Sequence, residues 1–194
     1  MKRLSLYLFL LLFALPTPSQ ADDIRDFQIE GMSIGDSLLD YFSEEKIINK
    51  KIFYYKNNKF AGINFYNLSF FEVYDEIQFV YKPNDKKYKI YGIDGVLDFK
   101  NNINACFKKK DEIVVKLSGL FKKAARLEDW GTVKHQHDKS GKSLATVTSF
   151  NFADGSQVKV VCTDWSEEMG FTDALKVVIN SKEFSNFISN EAYK

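Results

Sequence analysis

The sequence predicts an α+β protein, with helices packed on antiparallel sheet. Three observations carry this. Between Asn101 and Arg126, apolar residues Ile103, Cys106, Phe107, Val114, Leu117, Phe121 and Ala124 recur at three- and four-residue steps, the period of one helix face. On both sides lie short runs rich in β-branched and aromatic residues, separated by tight-turn signals. The element order is helix, four strands, helix, four strands, helix, which suits either two tandem helix-plus-four-strand units or two sheets joined edge to edge.

The first 21 residues read as an export leader. Lys2 and Arg3 give a basic start, Leu4 to Leu15 is an uncharged apolar run, and Ser19 and Ala21 place small side chains at a cleavage site. That run is too short for a comfortable membrane span, and no transmembrane segment is expected in the remaining chain. The expected organisation is a signal peptide over 1–21, a first unit over 22–97, and a second unit with a C-terminal helix over 98–194.

Ser33 to Asp36 matches a helix start, with a hydroxyl cap and an acid three residues on. Ile34, Leu38, Tyr41 and Phe42 form its apolar stripe, and Ser43 is placed to cap a second short turn through Ile47 and Ile48. Strands are expected over Ile52–Tyr55, Lys59–Tyr66, Val73–Tyr81 and Tyr88–Ile93, with Asp94-Gly95 ending the first sheet. Lys110 falls inside the central apolar stripe, and Asp111-Glu112 follows it, so one long helix and two shorter ones (101–109 and 111–125) both fit.

Strands resume at Thr132–Gln136, then Ser143–Phe152, Gln157–Thr163 and Ala174–Ile179. A two-residue turn at Asp154-Gly155 would set Val147 opposite Cys162 and turn Leu144, Phe150 and Phe152 away from the helix. Asn180 or Ser181 caps a last helix carrying Phe184, Phe187 and Ile188.

The 27 basic and 26 acidic side chains nearly balance, and loss of Lys2 and Arg3 with the leader removes the small basic surplus. That argues against nucleic-acid binding. Export places Cys106 and Cys162 in an oxidising compartment, so a disulfide between them is expected, tying the central helix to a late strand. No catalytic triad, Cys-x-x-Cys pair, phosphate loop or other cofactor motif is present. His135 and His137 share a strand face but lack further ligands for a metal. Asp164, Glu167, Glu168 and Asp173 surround Trp165 and Phe171 in a loop whose spacing matches no calcium site. No catalytic, cofactor or metal residue is therefore assigned.

The remaining candidate is an aromatic interaction surface: Tyr66, Phe70, Phe71 and Tyr74 in and beside one loop, with Phe150 and Phe152 on an open sheet face. The segment Glu30-Gly31-Met32-Ser33-Ile34-Gly35-Asp36 resembles the Gly-Met-Ser/Thr helix opening of SmpA/BamE-like envelope proteins. Helix followed by four-strand sheet, twice over, is similar to the tandem architecture of beta-lactamase inhibitor proteins. As a whole the chain resembles small exported bacterial proteins. These resemblances imply a non-catalytic protein-binding module outside the cytoplasm, periplasmic or secreted, with an envelope component as partner. A carrier of a small apolar ligand, and a hydrolase with an acidic or His-based site, are the alternatives.

Overall fold

The structure, a computed structural model, describes residues 23–100, 102–121 and 125–192. The expected leader over 1–21, Asn101 and Ala124 lie outside the described residues. Among the described residues eight strands form one antiparallel sheet: β1 (Ile52–Tyr54), β2 (Ala61–Tyr66), β3 (Glu76–Tyr81), β4 (Gly92–Asp98), β5 (Ala125–Lys134), β6 (Leu144–Phe152), β7 (Gln157–Asp164) and β8 (Ala174–Asn180). Their spatial order is β1-β2-β3-β4-β8-β7-β6-β5. Each half is a four-strand meander, and the closing strands β4 and β8 pair antiparallel from Gly92↔Asn180 to Asp98↔Ala174. The two halves therefore share one continuous sheet about a local two-fold in the topology.

One face of that sheet holds the main core. The N-terminal segment covers the β2–β4 side without a long helix. Ser37 caps a 3-10 turn at Leu38–Asp40 in a reciprocal box with Asp40, and Ser43 caps α1 (Glu44–Ile48) as its sequence predicts. The Ser33 signal makes only a turn, in which the Ser33 amide donates to Asp36 at 2.8 Å. Phe42, between these turns, stacks on Phe65 with ring centres 4.0 Å apart and meets the edge of Phe79.

The other half is covered by α2 (Ile103–Leu120), which is a single helix packed on β7 and β8. Lys110 does not break it. The side chain is buried, and its ammonium donates to Thr148 Oγ1 at 2.7 Å, with that hydroxyl in turn 3.3 Å from Asp129 Oδ1. A long apolar stem with one satisfied polar tip can occupy an apolar stripe. The Cys106–Cys162 disulfide joins α2 to β7, with Cα atoms 6.0 Å apart. Phe121, at the end of α2, packs against Phe27, Phe150 and Phe152.

Three further expectations are corrected. β4 runs through Asp94-Gly95 instead of ending there. Gly95 is needed because the Tyr74 ring takes the place of a side chain; a Cβ would sit 2.6 Å from that ring. The chain from Ala125 to Gly131, expected as the end of the helix and a linker, is the first part of β5, which bulges between Asp129 and Gly131.

The third correction is a slip of one residue. The β6–β7 turn has three loop residues, with the Gly155 amide donating to Phe152 O at 3.0 Å and Gly155 at φ +93°. Thr146 therefore opposes Cys162, and Val147 opposes Val161. Because side chains alternate, this slip exchanges the two faces of β6. Phe150 and Phe152 point under α2 and are 1% and 7% exposed.

Candidate functional site

The six aromatics expected to form one surface are not brought together. Phe150 and Phe152 are core. Phe71 and Tyr74 are half-buried against that core, and Phe70 is an exposed residue of the β2–β3 loop. That loop is held in place by Glu30, whose carboxylate accepts the amides of Glu72, Val73 and Tyr74 at 2.9, 2.7 and 3.0 Å. Tyr66, 53% exposed, lies at the end of β2 on the opposite side of the sheet.

That opposite side is where the charged residues of the strands collect. α3 (Lys182–Asn190), capped by Ser181, covers one end of it, where Phe184 and Phe187 pack with Phe60 and Val80. No other helix among the described residues lies on this face. Strand alternation sends Asn64, Glu76, Gln78, Asp94, Lys176 and Lys159 to it, one or two from each of β2, β3, β4, β8 and β7.

Two hydrogen-bonded chains flank its centre. On one side Lys176 Nζ donates to Gln78 Oε1 at 2.9 Å, and Gln78 Nε2 donates to Glu76 at 2.8 Å. On the other, Trp130 Nε1 donates to Ser149 Oγ at 3.1 Å, and Asn151 bridges Glu128 and Gln157. The β5 bulge places Trp130 here, and it is 55% exposed.

Between the chains lies one cross-strand row, Asp94–Val178–Lys159. Among the described residues the side chains of Asp94 and Lys159 make no hydrogen bond and no ion pair. The Lys159 ammonium lies 6.0 Å from the centre of the Trp130 ring. Burial pushes the Asp94 carboxyl up to about 6, against the pull of Lys176 and, more weakly, Lys159, and with added repulsion from Glu76. Burial likewise pushes the Lys159 ammonium down, with Asp94 opposing. In both groups loss of water outweighs attraction, so each charge sits on this face at a cost.

The other sequence-level candidates resolve as framework. His135 lies against Trp165, ring centres 4.2 Å apart, and burial lowers its basicity. Asp138 is buried. Its carboxylate accepts from Ser143 Oγ at 2.6 Å, the Ser143 amide at 2.9 Å, the Ser140 amide at 2.8 Å and Ser166 Oγ at 3.0 Å. Those bonds, that from Ser143 foremost, hold it far below the usual carboxylate range. It is a loop fastener rather than an acid or base poised near neutrality. Asp173, in the acidic loop, accepts the Trp165 amide at 3.0 Å. Among the described residues no group of three or more His, Cys, Asp or Glu is placed to hold a metal ion. Surface clefts of about 360 to 570 Å³ are lined mostly by polar and charged side chains. No described helix is long and apolar enough to cross a membrane.

No protein-family model matches the chain, and no curated protein is significantly similar to it. Among solved structures, the Ran-binding protein Mog1p of Saccharomyces cerevisiae is similar at 13% identity and a TM-score of 0.29, over 73% of this chain and 83% of that one. At that score the likeness bears on neither fold nor function.

Proposed function

We propose that this chain is a non-catalytic protein-binding module of the cell envelope, and that it docks its partner on the helix-free face of the sheet. The single observation that carries the reading is the centre of that face. Two half-buried opposite charges, Asp94 and Lys159, lie in one row with no hydrogen bond of their own, on a surface that no described helix covers apart from α3 at one end. Charged groups held at a cost to stability are kept where function uses them. Exposed Tyr66 and Trp130 stand on either side, and aromatics of this kind anchor protein interfaces. The Cys106–Cys162 disulfide suits an oxidising compartment.

The test is affinity capture from the native cell envelope with the chain lacking its leader, run beside two variants. Val178→Arg places bulk and charge at the centre of the face, and Val115→Arg does the same on the outer side of α2, where Val115 is 72% exposed. A partner retained by wild type and Val115→Arg and lost with Val178→Arg supports the reading. Equal recovery by all three overturns it.

A further inference from the structure

Resting on the reading of the helix-free face as a docking surface, we propose the chemistry of what docks there: a protein surface that presents a cation and an anion on either side of one apolar side chain, about 10 Å apart.

The argument starts from what the face has already satisfied. Lys176, Gln78 and Glu76 form a closed chain, as do Trp130–Ser149 and Glu128–Asn151–Gln157. These groups have partners and ask little of a ligand. Asp94 and Lys159 are different. Each is half-buried and has given up much of its water. Neither side chain makes a hydrogen bond or ion pair among the described residues, and the Lys159 ammonium lies 6.0 Å from the Trp130 ring.

Spacing and sign then specify the occupant. Asp94 and Lys159 are both register partners of Val178, so two strand spacings separate them, about 10 Å in all. A uniformly basic partner would meet Asp94 and be repelled by Lys159; a uniformly acidic one would meet the reverse. A neutral apolar partner would strip the remaining water from both charges without replacing it, which is strongly unfavourable. A partner with a cation over Asp94, an apolar group over Val178 and an anion over Lys159 satisfies all three. Charge-assisted bonds to groups already desolvated cost less to form than bonds between fully hydrated ones, so the arrangement favours specificity as well as affinity.

The probe is a displayed library of a small helical scaffold with one randomised face, selected against the immobilised chain lacking its leader. Binders that depend on the face, identified by their loss on Val178→Arg, are expected to carry a basic and an acidic residue flanking an apolar one. Their affinity is expected to fall at least tenfold with Asp94→Asn and with Lys159→Gln. The double reversal Asp94→Lys/Lys159→Glu should prefer a scaffold whose two charges are exchanged. Thermal unfolding of each variant keeps misfolding separate from lost contact. Face-dependent binders without the charge pair, or indifferent to both neutral variants, overturn this proposal and leave the docking reading intact. Binders indifferent to Val178→Arg, or no enrichment at all, overturn both. A self-association by sedimentation that disappears with Asp94→Asn would make the occupant a second copy of the chain and also overturn the proposal.

Discussion

Replacing Asp94 by asparagine should make the isolated protein more stable, and the gain should depend on pH. In the folded chain the carboxyl titrates at about 6, against an ordinary value of 3.8. The folded state therefore binds the proton more tightly than the unfolded chain does. Asp94 then contributes no penalty below about pH 4, and a rising one as pH passes from 4 to 6, after which it is constant. A shift of that size corresponds to about 3 kcal/mol at 1.36 kcal/mol per unit, and partial contact with water trims it toward about 2 kcal/mol. Asparagine has nearly the same shape and no charge to bury. Urea unfolding at a series of pH values between 4 and 8 reads the difference directly. The two proteins should match at pH 4, and the variant should lead by about 2–3 kcal/mol at pH 8. At fixed pH 8 this is a rise in midpoint temperature of several degrees, roughly 2–4 °C per kcal/mol for a chain of this size. Parallel stability–pH curves, or a variant less stable than wild type at pH 8, would refute the claim that this charge is held at a cost.

Three further outcomes follow from the packing. Reducing the Cys106–Cys162 disulfide, or replacing both cysteines by alanine, should lower unfolding stability by about 4 kcal/mol in the chain-entropy account, measured by urea unfolding with and without dithiothreitol. Lys110→Met keeps the apolar stem and removes a buried charge that has one hydrogen bond, while Thr148 keeps its bond to Asp129, so stability should stay within about 1 kcal/mol of wild type or exceed it. Lys110→Ala should instead cost ~2 kcal/mol or more through the space it leaves. Glu30→Ala frees three amides; burial raises the Glu30 carboxyl, but the bonds from Glu72, Val73 and Tyr74 prevail and leave it low. Its contribution is thus present at neutral pH and lost as pH falls through the folded value. Hydrogen exchange at those three amides should speed up by tenfold or more in the variant at pH 7, equivalent to about 1.4 kcal/mol, with little change in the main core.

Much of the framework was legible because local signals and tertiary packing agree. Ser43 and Ser181 are caps by their chemistry, and the spacing of Cys106 along α2 puts it on the face that meets Cys162. Where reading failed, a non-local contact had won. Asp94-Gly95 has hairpin composition, yet the glycine serves the Tyr74 ring inside a central strand. Ala125 and Arg126 favour helix, yet pairing with Phe152 and Asn151 makes them strand. One extra residue in the Asp154-Gly155 turn moved Phe150 and Phe152 from an imagined surface into the core. The residues at the centre of the helix-free face drew no notice, because a charge at an alternate strand position looks solvated. A signal was present: Asp94, Lys159 and Lys176 are lone charges inside β-branched runs, Ile-Asp-Gly-Val, Val-Lys-Val-Val and Leu-Lys-Val-Val. Runs of that kind belong to strands buried on both sides.

The ladder between β4 and β8 also governs when the molecule can become itself. β4 is complete at Asp98, but its second neighbour ends only at Asn180. During synthesis, the first meander must wait with one flank bare until Asn180 has emerged. Long-range pairing of this sort folds slowly and leaves the waiting edge open to wrong neighbours. A chain cut short before Ala174 would lack that closing strand, and its first half would be expected to aggregate rather than to persist as a smaller protein.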